Sequence, residues 1–481
     1  MSRNWRKLEL EHKAATEAHQ AAAVLSAELH LSEQLDAYRS LSWSGADRPV
    51  PTLHLDDVSA IPFLVDIAGV EEYQHRARVR AGDGDFFAAS TPAAAGYEDY
   101  CQKALAMGAP TMLIAEPGDN KLAVADACSQ GPAYAQLLDG ARASGGLTIH
   151  PYMGIEDVWQ LGAKLSNESG GDLEIIAPPP PVTWIANDKQ SFSRLVELVL
   201  GDGWLVETHT TTDPDAMARS LRLLAMRHDR VGLKRTRCAS AMGNCVYDRA
   251  EIAGLGDDEI RAVVEAFLER TEWPEGEEVL AVAWENTDIS PSTQLWIPPH
   301  GQGQPVLEGI YEQILVGPEK MFLGSRPSGL PAPVNETLAR SALEVAAGLQ
   351  SLGYVGRCSF DHLVIGDPNG EFRAVFVECN GRWGGTSTPM SLLDRLLPDG
   401  PRPAYRAQDF VDDRLVGVPL DDILARVGDA LFRTDRPGGR YIFYNVGPLA
   451  GSGKLDVIAI GETQEAAEQA MTEELPALLF G

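Results

Sequence analysis

Cysteine is sparse in this 481-residue chain. The six cysteines stand at 101, 128, 238, 245, 358 and 379, with no CxxC spacing among them. This excludes a zinc ribbon and a dense disulfide framework, and it fits a reducing, cytoplasmic setting. No run of about 18 apolar residues occurs, so no membrane-spanning helix is expected. The first thirty residues, MSRNWRKLELEHKAATEAHQAAAVLSAELH, lack a continuous apolar stretch and do not read as a secretory signal. Basic residues are also short: 40 Lys and Arg face 69 Asp and Glu, for a net charge of -29. Without a basic stripe the chain offers no footprint for a nucleic-acid backbone. The ten histidines include no HxxxH pair, and no internal repeat is visible.

The chain does have length, with 44% hydrophobic residues to build cores. A chain of this size is expected to divide into about three domains. Residues 6 to 38 read as a helix that docks on the body or pairs with another subunit. From residue 49 to 177, segments such as PFLVDIAGV and TMLIAEPG suggest strands, while DYCQKALAMG and AYAQLLDGARASGG suggest helices, so an α/β layer is expected. Four prolines at 178–181 mark a boundary. Beyond them a helix is expected after a cap at Asn187 or Asp188, then a strand bearing Lys234 that enters the small-residue loop Ala239 to Asn244. The domain reading is 1–45 for the N-terminal helix, then units at 46–182, 183–272, 273–400 and 401–481.

The densest chemistry lies between Gly353 and Leu397. Two apolar runs flank Asp367-Pro368-Asn369-Gly370, a turn sequence that predicts a hairpin. Side chains alternate along a strand, so Glu378, Asn380 and Arg382 share one face, as do Arg357, Ser359 and Asp361 on the partner. Two carboxylates and an amide are hard oxygen donors suited to Mg2+. Arg357 is equally readable as a carboxylate-binding residue or as half of a salt bridge, and His362, on the opposite face, reads as structural. Near the C-terminus, GPLAGSGK (447–454) superficially matches a phosphate-binding loop, but its glycine spacing is one too long and Leu455 replaces the required Ser or Thr. It reads as a hairpin turn.

Taken in order, the NDK at 187–189, the strand Lys234 with its loop, the strand ending in Trp284-Glu285, Asp361, and Glu378-x-Asn380-x-Arg382 resemble the ATP-grasp superfamily of carboxylate-amine ligases over residues 184–397. The stretch RWGGTSTP and the tail YNVGPLAGSGKLDVIAIGETQEAAE are similar to the pheganomycin-type peptide ligases, although this chain has GGTSTP where those often have GGTTHP. The resemblance implies an ATP-grasp fold, α/β with α+β parts, preceded by an α/β domain and followed by a small α+β domain. It implies ATP as cofactor, with two Mg2+ that Mn2+ can replace, held by Asp361, Glu378 and Asn380. Lys189, Lys234, Ser240, Gly243, Asn244, Trp284 and Glu285 are then expected at the nucleotide, and the Cys238–Cys245 segment as a lid. Arg382 and Arg357 are expected at the reacting groups, and Arg326, Gly384, Gly385 and Thr386 at the substrate. The implied activity is ADP-forming amide or peptide bond formation between a small carboxylate and an amine or peptide. Natural-product assembly is a fitting setting, a homo-oligomer stays open, and no nucleic acid or membrane partner is implied. A phosphotransferase acting on a hydroxyl and a non-catalytic nucleotide-binding protein are the alternatives.

Overall fold

A computed structural model describes residues 5–62, 70–237, 243–317 and 320–481. Three sheets follow one another along the chain. The first is fully parallel: β1 (Thr52–Leu55), β2 (Phe86–Ala89), β3 (Thr111–Ile114), β4 (Gly146–Pro151) and β5 (Asp172–Ile175), in the order β3-β2-β1-β4-β5. Helices such as Gly131–Ser144 and Glu156–Ser169 cover it, and strand residues Leu53, Leu55, Leu147 and Ile149 are fully buried. This is the expected α/β layer. The segment PFLVDIAGV, expected as a strand, lies largely outside the described residues.

The second sheet comprises β6 (Thr208–Thr211), β7 (Arg230–Arg235), β8 (Asn244–Asp248) and β9 (Val279–Ala283), in the order β6-β9-β7-β8. β9 pairs with both β6 and β7, so it belongs with the unit expected to end at 272. That boundary moves past Ala283.

The third sheet has eight strands: β10 (Pro291–Ile297), β11 (Val306–Val316), β12 (Met321–Pro327), β13 (Gly356–Gly366), β14 (Phe372–Asn380), β15 (Ala404–Val411), β16 (Tyr441–Asn445) and β17 (Lys454–Gly461). Their order is β14-β13-β10-β11-β12-β15-β17-β16. The C-terminal strands therefore extend the sheet that carries the predicted metal ligands, through β12 and β15. One core joins Tyr405, Tyr441 and Phe443 of this end to Tyr97 and Tyr100 of the first unit and to Met390 and Leu393.

Local expectations hold where short-range chemistry decides. β13 and β14 form the antiparallel hairpin, with Asp361 opposite Glu378 and Ser359 opposite Asn380. The helix Lys189–Leu200 is capped by Asp188, which accepts from the Ser191 amide at 2.9 Å, and ends at Gly201 with φ +89. Pro180 and Pro181 do more than break the chain: they occupy the first turn of the helix Pro180–Asn187, where a missing N–H costs nothing. The expected helix from 6 to 38 is interrupted. It runs as His12–Glu28 and resumes at Leu31–Leu35, because His30 adopts a left-handed φ of 50 that ends the first segment. β16 and β17 pair antiparallel across 446–453, so the loop-like GPLAGSGK is a strand connection, carrying one helical turn at Leu449–Ser452.

Candidate active site

Two cavities meet at the β13–β14 hairpin. One, of about 150 Å3, is lined by Lys189, Lys234, Asn244, Trp284 and Glu285. The other, of about 270 Å3, is lined by Ser359, Asn380, Arg382, Gly384, Gly385 and Thr386, among others. Asp361 and Glu378 face both, together with Gln313, Leu315 and Lys320.

Asp361 and Glu378 are cross-strand partners, and the Asn380 Nδ2 donates to Asp361 Oδ2 at 2.9 Å. Burial, and then the Glu378 charge, push the Asp361 carboxyl up to about 7. Burial also acts to raise Glu378, but Lys189 first, and then Lys234 and Arg382, hold its carboxyl below the usual range. The Lys189 Nζ sits 3.0 Å from Glu378 Oε2. Two carboxylates and one amide, converging where two cavities join, fit a hard divalent cation with open positions. Among the described residues, no group of three or more His, Cys, Asp and Glu forms a metal cage. The donor set is thus one that needs further oxygens, such as those of phosphates or water.

Lys234 projects from β7 over the Trp284 indole, 4.7 Å from its centroid. Glu285 accepts from Arg373 at 3.0 Å. Asn244 opens β8 with a buried, unpartnered Oδ1 on the wall of the smaller cavity. Gly243 stands beside it, its carbonyl accepting from the Arg235 amide at 2.9 Å. Ser240 and most of the expected lid lie outside the described residues.

Arg382 follows the end of β14 rather than continuing the strand. Its position comes from Asn187, whose Oδ1 accepts from Arg382 Nη1 at 2.6 Å and from the Gly381 amide at 3.1 Å. In the sequence Asn187 stands out as a helix-cap candidate and as part of the NDK motif, but not for its clamp on residues 381 and 382, which spans nearly two hundred positions. The Gly384 amide donates to Ser387 Oγ at 2.7 Å, closing the turn into the helix Ser387–Leu396. At Gly385 a Cβ would lie 2.4 Å from the Phe322 ring, so a larger residue there would have to displace that ring.

Two predicted site residues lie elsewhere. Arg357 is buried in an ion pair with Glu308 and stacks 4.5 Å from the Trp383 centroid, lining neither of the two cavities. Strand alternation put it level with Asp361, but cross-sheet neighbours on β11 claim its charge. Arg326 bonds Glu312 at 3.0 Å and Glu468 at 3.3 Å, tying β12 to the C-terminal helix Gln464–Gln469. Conversely, the larger cavity takes Tyr73, Arg76 and Tyr152 from the first unit and Asp409, Tyr444, Lys454 and Asp456 from the C-terminal strands. No local motif marks Tyr73, Arg76, Tyr152 or Asp409, whereas Tyr444, Lys454 and Asp456 fall within the C-terminal stretch YNVGPLAGSGKLD.

No family model and no curated protein matches the sequence. Solved structures do. The N5-carboxyaminoimidazole synthetase of Staphylococcus aureus aligns over 92% of this chain and 100% of its own, at 10% identity and a TM-score of 0.51. The N5-carboxyaminoimidazole ribonucleotide synthetase of Thermus thermophilus aligns over 89% of this chain and 99% of its own, at 14% identity and 0.51. The biotin carboxylase domain of the Hydrogenobacter thermophilus 2-oxoglutarate carboxylase, solved with MgADP and bicarbonate, covers 88% of each chain at 13% identity and 0.51. No helix among the described residues is long and apolar enough to cross a membrane. With its parallel first sheet, its four-stranded lobe and its eight-stranded lobe carrying the carboxylate pair, the chain has the ATP-grasp fold.

Proposed function

We propose that this protein is an ATP-dependent, ADP-forming carboxylate-amine ligase that joins a small carboxylic acid, such as an amino acid or derivative, to an amine or peptide N-terminus. The observation that carries the reading is the position of Asp361, Glu378 and Asn380 at the junction of the two cavities. The smaller cavity offers what a nucleoside triphosphate needs: an indole face at Trp284 and two ammonium groups, Lys189 and Lys234, for phosphate. The larger offers room for a second reactant next to Arg382. The proteins of like fold include one solved with MgADP and others whose names denote carboxylation of an aminoimidazole, which agrees with nucleotide-driven chemistry on a carboxyl group.

A carboxylate does not react with amines because its leaving group would be oxide. Transfer of the γ-phosphoryl group to it gives an acyl phosphate, and attack by the amine then expels phosphate. Such transfer asks the protein chiefly for positioning and charge neutralisation. Asp361, Glu378 and Asn380 would hold Mg2+, which neutralises phosphate charge when bound. Lys189 and Lys234 orient the phosphates, and Arg382, fixed by Asn187, meets the charge developing on the transferred group. Gly384 to Thr388 close the substrate side.

The test is hydroxylamine trapping. With ATP, Mg2+ and a panel of amino acids, the protein should release ADP and yield a hydroxamate from the activated acid. A phosphorylated hydroxyl compound without hydroxamate would instead establish a phosphotransferase.

A further inference from the structure

Asp409 on β15 and Asp456 on β17 are register partners, directly opposite each other across the strands. Both line the larger cavity. Like charges so placed repel, and burial deepens the cost. One cation answers them within the same strands: Lys454 Nζ lies 2.6 Å from Asp409 Oδ2 and 3.6 Å from Asp456 Oδ1. The second distance is beyond hydrogen-bond reach. Asp456 is only 3% exposed; its Oδ2 accepts from Asn445 Nδ2 at 3.0 Å, and its Oδ1 has no hydrogen-bond partner. Arg76, the other cation on this wall, donates through Nε to the Tyr73 carbonyl at 3.1 Å and lies 3.8 Å from Asp56. In the sheet order Asp409 stands four strand steps and Asp456 five from Asp361, along β13-β10-β11-β12-β15-β17.

A carboxylate oxygen can only accept, so whatever completes Asp456 must donate. The pair already holds one ammonium, that of Lys454, which at 3.6 Å leaves Asp456 Oδ1 without a hydrogen bond. We propose that Asp409 and Asp456 form a subsite for a protonated primary amine of the substrate, remote in the sheet from the phosphoryl-transfer centre. This deepens the ligase reading and rests on it for the identity of the reaction. The substrate in the larger cavity then carries a free ammonium besides its reacting group, as an amino acid, diamine or short peptide does. The lysine of the loop-like GPLAGSGK thereby acquires a role in a wall of the site.

Binding of propylammonium and of neutral propan-1-ol, measured by ligand-observed NMR without nucleotide, tests this. The wild-type protein should bind propylammonium at least tenfold more tightly. Asp456→Asn, which keeps the shape and the Asn445 contact, should abolish the preference. Lys454→Met, which removes the built-in ammonium, should strengthen propylammonium binding and raise Tm on its addition. Equal binding of the two probes by the wild type, a preference unchanged in Asp456→Asn, or no gain in Lys454→Met would overturn the subsite. Since neither probe needs ATP, a failed hydroxamate trap with intact ammonium binding would count against the reaction alone. The reverse pattern would count against the subsite alone.

Discussion

Glu378 and Asp361 differ in electrostatic surroundings although they face each other: three cations pull Glu378 down, while Asp361 is raised by burial and by its partner. Removing the Glu378 charge while keeping its shape should therefore remove most of the pull on a divalent cation. Glu378→Gln should cut ADP release by at least about a hundredfold, the scale of losing one preorganised electrostatic contact. Its Tm should stay close to wild type, and full turnover in a folded variant would contradict the metal assignment. His54 illustrates a residue that matters for stability. Burial first, opposed by the nearby Asp85, lowers its imidazole from 6.5 to about 4. Between those values the unfolded chain binds the proton and the folded chain does not. Stability from this group is present above 6.5 and is lost as pH falls toward 4, at up to about 1.4 kcal/mol per pH unit. Urea unfolding from pH 6.5 to 4.5 should show a shallower pH slope in His54→Gln than in wild type.

At the scale of elements, the helix Lys189–Leu200 links a cap to the chemistry, because its first residue is the lysine on Glu378. Asp188 receives the Ser191 amide and also pairs with Arg237 at 3.3 Å. Asp188→Ala should cost about 1 kcal/mol in denaturant unfolding. It should also raise the KM for ATP, since the freed helix start no longer fixes Lys189; unchanged kinetics alongside the stability loss would separate the two roles. This helix and the β13–β14 hairpin were legible in the sequence because each is decided within a dozen residues by a cap, a turn or an alternation. What lay beyond reading was set by strand order. Whether Arg357 meets a ligand or Glu308 depends on β11 packing near β13, and the placing of β9 depends on pairing with β7 across an intervening strand and two helices. Tyr73 and Arg76 reach the site from some three hundred residues before the hairpin and carry no motif of their own.

For the whole molecule, the eight-stranded sheet makes the C-terminal eighty residues part of the body that carries Asp361 and Glu378. β15 pairs with β12, β17 with β15, and their apolar faces share one core with Tyr97, Tyr311 and Leu393. A chain ended at Gly400 would bare that core, leave β12 as an open edge ready to pair with other chains, and remove the Asp409–Lys454–Asp456 wall of the larger cavity. Such a truncation should give insoluble protein or a chain without a cooperative thermal transition. In the intact protein, calorimetry should show the C-terminal strands unfolding in the same transition as the lobe that carries Asp361 and Glu378, because a shared core cannot be lost by one part alone. A soluble 1–400 fragment with the parent Tm, or a separate early transition removed by that truncation, would mean the C-terminal unit is an appendage and not a wall of the site.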